Sequence, residues 1–172
     1  EIAHVARPRL RLHRVDERDP ICFDDRVLGA VCQNVAAEVG DFVVRLADGL
    51  MTYQLAVTVD DAGMAIDDVV RGADLAASTP RQIALQRALG LERPAYAHVP
   101  LVVTKEGERL AKRDRPVTIA ALRAAGLTAD RLVGVLGHSL GLLPTPEPLA
   151  AAELVADFSW AKIPRAPWTA PT

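Results

Sequence analysis

At 172 residues the chain is long enough for one domain with a sizeable core, and its 50% hydrophobic and 24% charged residues make an ordinary globular balance. A net charge of -2 excludes a basic signature over the whole molecule, so any contact with nucleic acid must come from a local patch. No apolar run approaches membrane-spanning length and no signal peptide is visible, so no membrane partner is expected.

The chain opens Glu1-Ile2-Ala3-His4, without a methionine, and reads as a piece of something longer. Arg7, Arg9, Arg11, Arg14 and Arg18 crowd the first twenty residues, and Arg9 to His13 alternates as a strand with one polar face. A solvated strand edge is the preferred reading of those arginines over a phosphate-contacting patch. Residues 21 to 29 form a second short strand with an acidic turn. Cys32 to Val39 alternates weakly, and Glu38 to Asp41 turns into a strand at Phe42 to Leu46 that closes at Ala47-Asp48-Gly49. Cys22 and Cys32 sit ten apart with no second pair, which is neither a zinc knuckle nor a disulfide framework. Both are expected to be reduced, cytosolic and packed.

Leu55 to Val59 alternates and by period alone would be a strand. Asp67 to Val70 is a short strand ending at Arg71. The helix after it carries the strongest local signals: Thr79 as N-cap, Pro80 at the first position, Gln82 to complete a capping box and Gly90 to stop it. Ile83, Gln86 and Leu89 share one of its faces. Ala97 to Val103 reads as a buried strand, followed by a polar loop from Thr104 to Arg115. Two short helices follow, Thr118 to Ala125 and Thr128 to Leu140, the second with an apolar stripe of Leu132, Val135, Leu136 and Leu140. The proline-rich tail surrounds a helix-like LAAAELVADF and is expected to pack back along the domain.

The chemistry gathers between Tyr53 and Gln82. An aromatic hydroxyl (Tyr53), an acidic pair (Asp60, Asp61) and an arginine next to glycine (Arg71, Gly72) precede the capped helix. An arginine fork matches a carboxylate, and Gly72 would let a small anionic ligand approach the backbone. Gly137-His138-Ser139-Leu140-Gly141 nearly matches a hydrolase nucleophile elbow, but it lies in a helical pattern with no strand before it and is rejected.

The ordered motifs YQLAVTVDD, VVRGADL, STPRQIALQRALG, YAHVPLV and RLAK resemble the second half of a glutamate-activating class I aminoacyl-tRNA synthetase catalytic domain. The resemblance runs from about Arg9 to the C-terminus. It implies an α/β fold: the second half of a Rossmann-type catalytic domain over residues 1–115, including a KMSKS-like loop, then a small helical stem-contacting region with a proline-rich tail over 116–172. It also implies a helix across Leu55 to Val59, against the local period, with the acidic pair at its end as helix-end and ion-pair residues.

In that family glutamate's carboxylate attacks the α-phosphorus of ATP, and a lysine on a closing loop neutralises the charge that builds on the phosphate. The resemblance therefore assigns glutamate binding to Tyr53 and Arg71, the catalytic loop lysine to Lys112, and ATP binding to Lys112, Arg109 and His98. Arg109 stands where the family has its first loop lysine, and Ala111 where it has serine. Val57, where glutamyl-tRNA synthetases carry asparagine, Ala73, where they favour an acidic residue, and the early C-terminus point to a shortened branch. Members of that branch pass L-glutamate to the queuosine base of tRNA(Asp). ATP, Mg²⁺ with it and tRNA(Asp) are the implied partners of a cytoplasmic monomer. The HIGH-type motif, the first glutamate-binding residues and the zinc-binding cysteines of the family would lie upstream of the matching segment, so this chain is not expected to hold a metal or to catalyse alone. A fragment of an ordinary glutamyl-tRNA synthetase and a non-catalytic paralogue that binds RNA or a partner are the alternatives.

Overall fold

The computed structural model describes residues 11–16, 19–108 and 118–169. They divide into two compact units. One holds the residues up to Val69 together with Leu75–Ala97, the other Val70–Asp74 together with the residues from His98 on.

The first unit holds most of a mixed sheet. β2 (Ile21–Asp25) and β3 (Gly29–Gln33) pair antiparallel, β2 pairs parallel with β6 (Ala95–Val99), and β5 (Asp68–Gly72) lies beyond β6. The two-residue period of β2 turns Ile21, Phe23 and Asp25 inward and Cys22 and Asp24 outward. Asp25 is buried because its carboxylate closes the turn, accepting from the amides of Val27 at 3.0 Å and Leu28 at 2.8 Å. Ile21, Phe23, Val35, Phe42, Ile83, Leu85 and Tyr96 form the core. Phe23 meets Tyr96 edge-on with ring centroids 5.5 Å apart, and the buried Tyr96 hydroxyl accepts from Gln86 Nε2 at 3.0 Å. A second small sheet pairs β1 (Arg11–His13) antiparallel with β4 (Phe42–Arg45).

Three local expectations change. The weak alternation from Cys32 to Val39 is the end of β3 and then a one-turn helix, α1 (Val35–Glu38). Asn34 Oδ1 accepts from the Ala37 amide and Glu38 Oε1 from the Asn34 amide, both at 2.9 Å, so the start of the turn is capped by two reciprocal bonds. The alternating Leu55 to Val59 lies in α2 (Tyr53–Gly63), as the family resemblance implied. Its inward residues are Leu55, against the core, and the buried Thr58, a helical spacing of three, while Val59 is exposed.

The start of α3 (Thr79–Leu89) also differs. Residues Ala73–Ser78 form a 3₁₀ helix that runs directly into it, so Thr79 is not an N-cap. Its hydroxyl donates to the Leu75 carbonyl at 3.4 Å. Gln82 does not reach back to close a box. Its amide, 2% exposed, donates to Gln54 Oε1 at 2.9 Å and ties α3 to α2. The far end follows expectation: Gly90 takes φ of 67° and stops the helix. Leu89 is exposed, so Ile83 and Gln86 face inward without it.

In the second unit the expected strand from Ala97 to Val103 is interrupted. β6 ends at Val99, Pro100 offers no amide for a ladder, and β7 (Val102–Val103) begins beyond it. The tail returns as expected: β8 (Trp168–Thr169) pairs parallel with β7, and the Trp168 amide donates to the Leu101 carbonyl at 2.8 Å. α4 (Ile119–Ala124) and α5 (Ala129–Ser139) are capped by Thr118 and Thr128, whose hydroxyls accept from the amides of Ala121 and Arg131. The helix-like LAAAELVADF forms only the 3₁₀ turn Ala151–Leu154, and its Val155 and Phe158 stay exposed, so no apolar face is available to extend it.

The cysteines are corrected as well. Cys22 and Cys32 are direct cross-strand partners on the outward face of β2 and β3, and they are joined in a disulfide rather than packed as separate thiols. Ten residues of separation was read as no framework, but a hairpin register brings such a pair face to face. Reduction is expected to lower stability by about 2 kcal/mol, since the loop it closes is short and already held by a hairpin. Thermal melts with and without a phosphine reductant check this; superimposable melts would show that the bridge contributes nothing.

Candidate functional site

Arg71 is the penultimate residue of β5, and His98 the penultimate residue of β6. Both belong to the second unit, and the structure brings them together. Arg71 Nε donates to His98 Nε2 at 3.1 Å, and His98 is 0% exposed. An arginine Nε–H can only donate, so Nε2 is the acceptor and the imidazole is neutral with its proton on Nδ1. β5 thus ends in a cation whose inner nitrogen is held by a buried ring.

Gly72 has a different reason from the one its sequence suggested. It does not require a positive φ; a Cβ there would stand 2.6 Å from Asp74 Oδ1 and 3.0 Å from Leu101 Cδ2. The space beside its Cα is therefore taken by the protein's own side chains. Close packing after Arg71, not ligand approach, explains this glycine.

Tyr53 begins α2 in the first unit and its side chain is 51% exposed. The residue before it is stitched to β4: the Thr52 amide donates to the Val44 carbonyl and the Thr52 hydroxyl to the Val43 carbonyl, each at 3.0 Å. One turn further, at the i+4 position, is Val57. Asp60 and Asp61 occupy the last turn of α2, the helix-end position expected for them. A joint of partly buried polar groups holds α2 against α3, with Gln54 Nε2 donating to Ser78 Oγ at 3.1 Å and Arg81 Nη2 to the same hydroxyl at 3.1 Å. Neither this joint nor the pairing of Arg71 with His98 was read from the sequence. The available signal was polar residues inside otherwise apolar stretches, Gln82 and Gln86 in α3 and His98 in YAHV.

Arg109 and Lys112 lie outside the described residues. The entry to their loop is a closed turn, in which the Thr104 amide donates to the Glu108 carbonyl at 2.8 Å and the Gly107 amide to the Thr104 carbonyl at 3.0 Å. Ser139 sits in α5, 5% exposed, with its hydroxyl donating to the Leu136 carbonyl at 2.7 Å, while His138 Nδ1 bonds the Leu143 carbonyl at 3.0 Å. These bonds run to separate carbonyls, which supports rejecting the hydrolase motif. Among the described residues no group of three or more His, Cys, Asp or Glu is placed to hold a metal ion. No helix among them is long and apolar enough to cross a membrane.

Residues 4–144 match the model of the family "tRNA synthetases class I (E and Q), catalytic domain". A glutamyl-Q tRNA(Asp) synthetase of Symbiobacterium thermophilum is 49% identical over 160 residues, covering 93% of this chain and 49% of that protein. The protein of the same name from Nocardia farcinica is 54% identical over 130 residues, covering 76% of the chain and 40% of its own length. The chain thus spans about half the length of the curated relatives it matches. Among solved structures, a glutamate tRNA ligase from Elizabethkingia meningosepticum in complex with its amino acid superposes with a TM-score of 0.74 at 24% identity, over 88% of this chain and 34% of that one. That likeness shows the α/β fold, and the family match places it in a class I synthetase catalytic domain.

Proposed function

The chain belongs to the class I tRNA synthetases of the glutamate and glutamine group, and from that premise we propose that it forms the second half of a ligase that activates L-glutamate with ATP and passes it to the queuosine base of tRNA(Asp). The observation that carries the finer reading is 49% identity, across nearly the whole chain, to a relative named for that tRNA. Val57 and Ala73 support it, since they replace residues that the resemblance expects in an ordinary glutamyl-tRNA synthetase.

In the first step one carboxylate oxygen of glutamate bonds to the α-phosphorus of ATP, and the bond from that phosphorus to the bridging oxygen of pyrophosphate breaks. Pyrophosphate leaves with the electron pair, and no side chain needs to give or take a proton. The site's task is therefore positioning and charge stabilisation. Arg71 supplies a fork for a carboxylate and Tyr53 a hydroxyl for a carboxylate or ammonium. Lys112 and Arg109 supply charge at the phosphates, where ATP would bring Mg²⁺. Residues 1–115 carry these groups, and 116–172 form the stem-contacting region.

The same reading implies a cytoplasmic monomer. Disulfides are rare in the cytosol, so counting free thiols at Cys22 and Cys32 after rapid acid trapping tests that placement.

Glutamate-dependent ATP–pyrophosphate exchange without tRNA tests the function, on this chain and on its full reading frame. Exchange is expected from the full frame and to fall about 10³-fold in Lys112→Ala, the scale for losing a preorganised charge at developing phosphate charge. Glutamate transfer to tRNA(Glu) rather than tRNA(Asp) would favour an ordinary glutamyl-tRNA synthetase. No exchange from either form would favour a non-catalytic paralogue.

A further inference from the structure

His98 has no exposed surface, and its Nε2 accepts from Arg71 Nε at 3.1 Å. Its place in YAHV was expected to serve ATP. The geometry points elsewhere: we propose that His98 is a positioning residue for Arg71, fixing the guanidinium that receives the glutamate substrate. The proposal rests on the reading of Arg71 as a glutamate ligand.

Arginine reaches its target through a long, rotamer-rich side chain, and affinity is lost if that freedom must be frozen when the ligand arrives. Here Nε, the nitrogen nearest the backbone, is already bonded to a ring at 3.1 Å. A bond at Nε fixes the end of the aliphatic stem, so the rest of the fork turns about a held point. The ring is itself immobile, since Tyr96, Ala97 and His98 are successive buried residues of β6. The backbone after Arg71 has little room to shift, because Asp74 and Leu101 fill the space beside Gly72. The arginine is thus constrained through its backbone and through the inner nitrogen of its fork, the arrangement expected of a preorganised carboxylate receptor.

The acceptor must be an unprotonated nitrogen or an oxygen at the position of Nε2. Glutamine can place Oε1 near that position. Asparagine is too short: its oxygen falls nearer Nδ1. Alanine provides nothing. This ordering separates a positioning role from simple filling of a buried space, because asparagine and glutamine are both polar, uncharged amides.

The test uses the full reading frame, with KM for glutamate and for ATP measured separately in pyrophosphate exchange. His98→Ala and His98→Asn are expected to raise the KM for glutamate about tenfold or more with the KM for ATP unchanged, and His98→Gln to restore most of the loss. Equal rises in both KM values with no rescue by glutamine would overturn the proposal, as would an unchanged KM for glutamate in all three variants. A rise in the KM for ATP alone would return His98 to the nucleotide. Nitrogen-15 NMR of the unsubstituted chain reads the bond without any activity: Nδ1 of His98 is expected to be protonated and Nε2 not. The opposite tautomer, or a doubly protonated ring at neutral pH, would refute the proposal even if every variant failed to fold. Wild-type protein silent in exchange, but showing the expected tautomer, would count against glutamate activation and leave the bond between Arg71 and His98 standing.

Discussion

Replacing Arg71 with alanine is expected to raise the KM for glutamate on the order of 10²-fold in the exchange reaction of the full reading frame. On the proposed role of Arg71 the substitution removes a charge-assisted donor from the substrate carboxylate, about 2–3 kcal/mol of binding. It also strips the fully buried His98 Nε2 of the Arg71 Nε donor, which costs further stability of about 1–3 kcal/mol. Arg71→Lys is the sharper probe. Lysine keeps the positive charge but has no planar fork and no nitrogen at the Nε position, so it should recover only a small part of the loss. If lysine restores the KM for glutamate, charge alone suffices and the fork has no special role. If alanine changes it less than twofold, Arg71 does not receive the substrate.

Gly134→Ala should be the most damaging of the small substitutions in the second unit. Gly134 lies in α5, where alanine would normally be favoured over glycine by about 1 kcal/mol. A Cβ built there falls 2.7 Å from the Glu147 carbonyl carbon and closer still to its oxygen. The atoms in the way are backbone, which cannot rotate aside as a side chain would. Either α5 or the segment through Glu147 must move, breaking the contact of the Leu149 amide with the Asp130 carbonyl at 3.3 Å. The expected cost is about 3 kcal/mol, at the upper end of overpacking, and a fall in Tm of roughly 6–12 °C. Gly63→Ala at the end of α2 is the control: nothing stands within 4 Å of its added Cβ, and it should be neutral or slightly stabilising. A Gly134→Ala melt as high as that control would show that the approach of Glu147 is not tight in solution.

The same two residues show how far the sequence could be read. Arg71 could be singled out as a candidate because it sits in an ordered set of motifs, and order along a chain survives without knowledge of three-dimensional contacts. Its partner was not, because His98 is 27 residues away and nothing local to either residue encodes their meeting. Gly134 was invisible for a related reason. Inside a helical pattern a glycine looks like a weak position, and only the passage of Glu147 makes it necessary. The readings of Thr79 and Gln82 failed differently. Serine, threonine and glutamine at a helix start compete between capping and tertiary bonds, and here Gln54 takes the Gln82 amide while a 3₁₀ turn occupies the residues where a cap would form.

By itself the sequence determined the α/β class, the family, the two short helices that start near Thr118 and Thr128, and the stop at Gly90. Each of these is written within a few residues or in motif order, as hydrogen bonds spanning one helical turn or a backbone angle that glycine adopts freely. Only the tertiary structure decided that Cys22 faces Cys32, that Gly72 makes room for Asp74 and Leu101, that Pro100 splits β6 from β7 and that His98 holds Arg71. Those outcomes depend on strand register and close packing between segments far apart in the chain, and such contacts leave no periodic trace in the residues that make them.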